Sequence, residues 1–307
     1  MSTGRRLRSP LWYIGGKGRM VAKLLRYIPP HKIYVEVFGG GASLLFAKEP
    51  SPVEVYNDID SAVVNFFRVL RDPEKFEEFY KKVYMTPYSR EEYNFCANTW
   101  QDCEDEIERA YRWFVMVRQD FAGRLGNSSW GFSVTTSARG MSMVTSAWLS
   151  TIEMLPEIHA RIMRVQIEND NFRKIIPRYD TDKTFMYLDP PYVPETRKNK
   201  KDYDFEMSLE DHQELIDLIL SSRSMFMLSG YRHPIHKKLE DAGWQRIDFQ
   251  TACHAVGRTR NSKFHGGGSV LKHAPRTENI WLSPNTIAAL NPLLFSVSQE
   301  GVWNEST

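Results

Sequence analysis

The sequence predicts an α/β fold: a mostly parallel sheet with an antiparallel edge hairpin, interrupted by a mainly helical insert. Three observations predict it. Short β-rich runs alternate with helical patterns at both ends of the chain. The alternation stops between about residues 72 and 161. The last two β-rich runs have no helical pattern between them, which calls for an antiparallel hairpin.

In chain order, the strands are expected at Ile33–Val37, Val53–Tyr56, Thr184–Leu188, Met225–Ser229, Gln245–Phe249 and Asn279–Leu282. Helices are expected at about Lys17–Ile28, Ala42–Lys48, Ser61–Leu70, Ser208–Leu220 and His233–Asp241. Strands joined by helices pair in parallel, and the helices cover both faces of the sheet. The middle region offers helices at Pro73–Val83 and Asp105–Arg118. An acid-free stretch, Phe121–Ser146, follows, rich in Gly, Ser, Thr and Asn, and is expected to be one long functional loop. The alternation resumes at Val165. The expected partition is therefore 1–71, the insert 72–161, and 162–307.

Of the 307 residues, 42% are hydrophobic, enough to bury a core and to exclude a largely disordered chain. No apolar run approaches the ~18 residues that a membrane span needs, so no membrane partner is expected. Nothing at the N-terminus resembles an export signal. Cys96, Cys103 and Cys253 form no paired framework, which makes a reducing, cytoplasmic setting the default. Cys253, His254, His265 and His273 match no standard ligand spacing, and no metal is expected.

The formal charge is only +2, but it is segregated. Residues 251–276 carry Arg258, Arg260, Lys263, Lys272 and Arg276 without an acid. Residues 197–201 read Arg-Lys-Asn-Lys-Lys, and the first 26 residues are basic and acid-free. A single run of this kind is usually a solvated face. Three of them make a polyanion such as nucleic acid a candidate partner.

Three elements carry the chemistry. The run Phe38-Gly39-Gly40-Gly41 sits where a strand turns into a helix. Glycine there permits close approach to the backbone, although a purely structural turn has the same signature. Leu44 replaces the third glycine of a dinucleotide fingerprint, and no phosphate-cradling lysine motif occurs. Asp58 ends the next strand, nineteen residues after Gly39, where a carboxylate can hold ribose hydroxyls. Asp60 better fits a helix N-cap, and Ile59 offers an apolar surface to an adenine ring or to the core. A nucleoside without phosphates suits such a site, and S-adenosyl-L-methionine is one. Finally, Asp189-Pro190-Pro191-Tyr192 ends a buried strand. Two prolines remove two N–H donors and leave carbonyls that only accept. The Asp189 carboxylate and Pro190 carbonyl could each accept a hydrogen from an exocyclic amine while Tyr192 stacks on the base.

With these motifs in this order, the chain resembles the Dam-like DNA adenine-N6 methyltransferases. Tyr13-Ile14-Gly15-Gly16-Lys17 comes first, then the glycine turn, then Asn57-Asp58-Ile59-Asp60. An insert of about a hundred residues precedes Asp189-Pro190-Pro191-Tyr192, and Arg276–Trp281 is similar to the family's closing strand. The resemblance implies a Rossmann-like S-adenosylmethionine-dependent methyltransferase sheet with a target-recognition insert, and site-specific methylation of adenine N6 in double-stranded DNA with base flipping. A partner restriction endonuclease is one setting for such an enzyme. The resemblance further implies that Tyr13, Lys17, Phe38, Gly39, Gly41, Asp58, Ile59 and Asp189 contact the cofactor, with Asp189, Pro190 and Tyr192 at the target amine. One departure stands out: in Glu168-Asn169-Asp170-Asn171, the family's acid near the cofactor adenine aligns with Asn171. Asp170, one step earlier, is the candidate.

The expected DNA reader is the loop Arg124–Ser133, with Arg124, Asn127 and Ser128 at base edges and Trp130 as a wedge. The alternative is a surface hairpin with Trp130 packed on its own helices. Arg139, Arg258, Arg260 and Lys263 are expected at phosphates, which position without specifying. Other readings are a ribosomal RNA base methyltransferase, against which the large insert argues, a cytosine-N4 enzyme, and a non-catalytic DNA-binding module on a methyltransferase fold.

Overall fold

The computed structural model describes residues 6–12, 17–18, 20–121, 129–197, 205–252 and 275–291. The chain runs through α1 (Val21–Leu24), β1 (Ile33–Glu36), α2 (Ser43–Ala47), β2 (Val53–Asn57) and α3 (Ser61–Arg71). Helices α4 (Pro73–Tyr84), α5 (Arg90–Thr99), α6 (Glu106–Gln119) and α7 (Met143–Ile162) follow. Then come β3 (Gln166–Glu168), α8 (Phe172–Arg178), β4 (Thr184–Leu188), α9 (Leu209–Ser221), β5 (Met225–Gly230) and α10 (Lys237–Asp241). The last elements are β6 (Gln245–Ala252), β7 (Pro275–Leu282) and α11 (Pro284–Leu290).

The strands form one sheet in the order β3-β2-β1-β4-β5-β7-β6. The first five are parallel, and β7 runs antiparallel to both β5 and β6. This is the expected α/β sheet with its antiparallel edge. From β1 the chain moves to β2 on one side, whereas β4 lies on the other. The crevice between the carboxyl ends of β1 and β4 is thus a topological switch point, where open α/β sheets bind ligands.

Side-chain alternation divides the core by sheet face. Tyr34, Tyr56 and Phe185 point to one side and join the aromatic interior of α3, α4, α6 and α7, where Phe66 stacks on Phe114 at 5.3 Å. Val35, Val55, Met186 and Leu188 point to the other, onto α8 and α9. The helical block α4–α7 therefore shares a continuous core with one face of the sheet. A buried ion cluster adds to that join: Glu54 on β2 pairs with Lys48 and with Arg161 of α7, each at 2.5 Å.

Helix α3 begins where Asp60 accepts from Ala62 N at 2.8 Å, the cap expected of it. The helix expected over Lys17–Ile28 is shorter. Met20 provides no side-chain cap, only Val21–Leu24 is α-helical, and a 3₁₀ turn ends it before Pro29 and Pro30. The stretch expected to be one long loop to Ser146 gives way to α7 at Met143. No helix among the described residues is long and apolar enough to cross a membrane.

Candidate active site

The glycine turn leaves β1 and folds back over β2. Gly39 N donates to Asn57 O at 2.8 Å. A Cβ on Gly39 would lie 2.2 Å from Tyr56 Cε2, so the close approach that requires glycine here is to a neighbouring side chain. The Tyr56 hydroxyl donates to Gly40 O at 2.8 Å, and Gly40 has a positive φ of 45°. Ala42 also adopts a left-handed φ of 54°, which costs a non-glycine residue roughly 1–2 kcal/mol.

Asp58 secures this turn from the end of β2. Its Oδ2 accepts from Gly40 N at 2.7 Å and its Oδ1 from Asp60 N at 2.9 Å. Burial pushes its carboxyl up to about 6, against the pull of those N–H groups. Ile59 beside it is 41% exposed. Asn57, which sequence reasoning passed over, ties three strand ends together. Its amide donates to Val37 O at 2.8 Å and to Asp170 O at 3.0 Å, and accepts from Asp170 N at 2.9 Å. The Asp170 carboxylate accepts from Asn171 N and pairs with Lys174 at 3.1 Å, which holds it below the usual carboxylate range. Asn171 caps α8 through Arg173 N.

Across the switch point, the Asp189 carboxylate stands at the end of β4. Lys17 Nζ lies 2.8 Å from its Oδ1 and 4.8 Å above the Tyr192 ring. Burial raises the Asp189 carboxyl, while Lys17 and then the Tyr192 hydroxyl favour its ionised form. Glu36, at the end of β1, is a second buried acid that sequence reasoning did not select. Its Oε1 accepts from the Tyr34 hydroxyl at 2.7 Å and from Leu45 N at 2.6 Å. Burial nevertheless pushes it up to about 7. The signal was available: a carboxylate at the core-facing position two residues after Tyr34.

These groups surround a single cavity of about 300 Å³. Lys17, Phe38, Gly39, Gly41, Asp58, Ile59, Asp170 and Asp189 all line it, together with Glu36 and Pro191. Pro190 and Tyr192 are buried behind it. The Tyr192 ring meets Tyr231 edge-on at 4.7 Å, so in this conformation Pro191, rather than Pro190 or Tyr192, faces the cavity. Tyr13 lies outside the described residues.

At the expected DNA reader, Trp130 pairs with Asp120 across a short antiparallel bridge. Its ring packs against Tyr88 at 5.3 Å beneath the Arg90 guanidinium, and its Nε1 donates to Gln119 at 3.4 Å. Among the described residues around it, Phe121 is 54%, Phe132 64% and Val134 89% exposed. Arg139 is exposed and paired with Glu153 at 2.8 Å. Arg124, Asn127, Ser128, Arg258, Arg260 and Lys263 lie outside the described residues, as do Cys253, His254, His265 and His273.

No curated protein matches the chain. The family model described as D12 class N6 adenine-specific DNA methyltransferase matches residues 13–248, a span that takes in the glycine turn, Asp58 and the Asp189 corner. On that match and this geometry, the chain belongs to the D12 class of N6 adenine-specific DNA methyltransferases.

Proposed function

We propose that the cavity between β1 and β4 holds S-adenosyl-L-methionine, and that Asp189 receives the N6 amine of an adenine flipped out of duplex DNA. The observation that carries this reading is the charge of the cavity beside a glycine turn. Glu36, Asp58, Asp60, Asp170, Asp189, Glu206 and Asp211 line it, against Lys17 and Arg173 among the described residues. Arg173 is itself engaged by Asp211 and Glu214. Such a cavity repels phosphates and favours a cation. When bound, the cofactor supplies an electrophilic methyl group on a positively charged sulfur.

The chain's own residues supply the remainder. Asp58 offers its free lone pairs to ribose hydroxyls, and Ile59 and Phe38 offer apolar surface. Glu36 is the buried acid available to the cofactor's ammonium. Asp189 accepts a hydrogen from the target amine and stabilises the positive charge that grows on that nitrogen as the methyl bond forms. The Pro190 carbonyl is the second acceptor, and it becomes available only if the corner opens from its present buried state. Tyr192 would have to exchange its contacts with Lys17 and Tyr231 for the base.

The helical segment 72–161 is proposed to read the DNA, with Phe132 as the exposed wedge in place of the packed Trp130. Flipping a paired adenine costs a few kcal/mol, and a wedge filling the gap offsets part of it. The test is Asp189→Ala. Incorporation of labelled methyl into duplex DNA should vanish in a protein that still folds, as circular dichroism would show, with Asp189→Asn, which keeps the shape but loses the charge, equally inactive. Full activity in either variant would refute the assignment.

A further inference from the structure

Helix α2 follows the glycine turn and ends early. It spans only Ser43–Ala47, and the chain turns extended at Lys48. The Leu45 carbonyl is therefore one of the last-turn carbonyls with no partner inside the helix. Its donor comes from the helical block. Arg161, in the last turn of α7, donates from Nη2 to Leu45 O at 2.9 Å and to Glu54 Oε1 at 2.8 Å. Its Nη1 donates to Glu54 Oε2 at 2.5 Å.

The same leucine also holds a group that lines the cavity. Leu45 N donates to Glu36 Oε1 at 2.6 Å, and the Tyr34 hydroxyl donates to the same oxygen at 2.7 Å. Both donors fall on Oε1. Among the described residues none donates to Oε2, which leaves that oxygen to whatever enters the cavity. Lys48 backs the arrangement: its Nζ reaches Glu54 at 2.5 Å and Ser51 Oγ at 2.7 Å, and lies 4.3 Å above the Tyr34 ring. An unbroken run of hydrogen bonds thus leads from α7 through Leu45 to Glu36.

We infer that Arg161 is a positioning residue for the cofactor: by holding Leu45 O it fixes the stretch of main chain that holds Glu36 Oε1, and so sets where Glu36 Oε2 stands in the cavity. The inference rests on the reading of Glu36 as the partner of the cofactor's ammonium. Arg161 does not line the cavity and acts only through Leu45. The cofactor site is then not a property of the sheet alone, because the helical block supplies the guanidinium that sets one of its acids.

A simple ion pair with Glu54 would not require this residue. Lys48 already meets that carboxylate, so Arg161 brings a second cation to an acid whose side chain is 1% exposed. Arg161 also buries an Nε–H that finds no partner among the described residues, a cost that an apolar side chain would avoid. What the guanidinium adds is a planar fork on Glu54 with a further N–H for Leu45 O. Because Lys48 remains, loss of Arg161 does not leave Glu54 as an unpaired buried charge, and variants at this position should fold.

The experiment is a double-mutant cycle on the full-length protein at pH 8. It is read as the dissociation constants of S-adenosyl-L-homocysteine and of methylthioadenosine, which lacks the ammonium and the carboxylate. Arg161→Gln should weaken S-adenosyl-L-homocysteine roughly tenfold and methylthioadenosine by less than about twofold, with Arg161→Lys between wild type and Arg161→Gln. In the Glu36→Gln background, the Arg161→Gln loss should shrink to less than about twofold. An equal loss in both backgrounds, equal weakening of the two ligands, or no loss at all would overturn the inference. A second arm needs no variant. Hydrogen exchange across Ser43–Ala47 and the last turn of α7 should be slowed more by saturating S-adenosyl-L-homocysteine than by saturating methylthioadenosine. Equal protection by the two would overturn the inference even if the variants do not fold. Failure of the underlying reading would be seen separately, as wild-type affinity for S-adenosyl-L-homocysteine in Glu36→Gln alone.

Discussion

Lys17 Nζ sits 2.8 Å from Asp189 Oδ1, and both side chains are largely withdrawn from solvent. Both line the cavity, and the ammonium favours the ionised form of a carboxyl that burial raises overall. Removing one member of a buried pair typically leaves about 3–5 kcal/mol uncompensated unless the survivor takes up a proton. Asp189 can do so.

Lys17→Met should therefore raise the Asp189 carboxyl further. Because the reaction needs the carboxylate, activity should fail at a higher pH as the solution is acidified. The acid limb of the single-turnover rate against pH should move upward, with Lys17→Arg intermediate. An unmoved limb would show that Lys17 does not control the charge of Asp189.

Glu36 makes a prediction about stability. Its carboxyl is pushed up to about 7 from an ordinary 4.5, so the folded protein holds this proton more tightly than the unfolded chain. Stability from this group is present at low pH and declines as pH rises between those two values. Glu36→Gln keeps an oxygen to accept from Tyr34 and Leu45 but carries no charge. Its melting temperature without cofactor should match wild type near pH 4.5 and exceed it at pH 8. Cofactor affinity should move the other way, with the variant binding more weakly at pH 8. Parallel melting curves across this range would contradict the assignment.

Much of this site was legible because its determinants are local. Short β-rich runs marked β1, β2, β4 and β5, and the Asp60 cap marked the start of α3. The less legible elements lack such signals. Strand β3 is three residues, Gln166–Glu168, partly exposed and paired only to β2, so it shows neither a buried run nor alternation. Helix α7 begins in a stretch rich in Ser, Thr and Gly and contains Pro156, so its first turns read as loop. Glu36 and Asn57 were missed for another reason. Their full roles depend on partners that only the fold supplies: Leu45 of α2, beside the nearby Tyr34, for one, and Val37 and Asp170 for the other.

Gly39 tests whether the glycine turn is shaped by packing on β2. Gly39→Ala would force a Cβ to within 2.2 Å of the Tyr56 ring and 3.0 Å of Asn57 O. Such overpacking typically costs 1–3 kcal/mol. Displacement of the turn should also weaken cofactor binding strongly. Tyr56→Leu removes the ring, along with the hydroxyl bond to Gly40 O. In a double-mutant cycle, the Gly39→Ala penalty should shrink in the Tyr56→Leu background. Strict additivity of the two changes in melting free energy would show that the ring is not what demands glycine.

Trp130 and Phe132 should separate stability from DNA distortion. Their rings lie 6.5 Å apart, yet Trp130 is enclosed by Tyr88, Arg90 and Gln119 while Phe132 is 64% exposed. Trp130→Ala should lower the melting temperature, since losing a packed aromatic costs up to about 3–5 kcal/mol when it is fully buried, and less here. Phe132→Ala should leave it unchanged, because an exposed side chain contributes little to the fold. If Phe132 fills the space left by a flipped adenine, its loss should reduce the fluorescence rise of 2-aminopurine placed at the target position. Binding to phosphates would be largely retained. A Phe132→Ala protein that extrudes the base as fully as wild type would move the wedge to another residue of the insert.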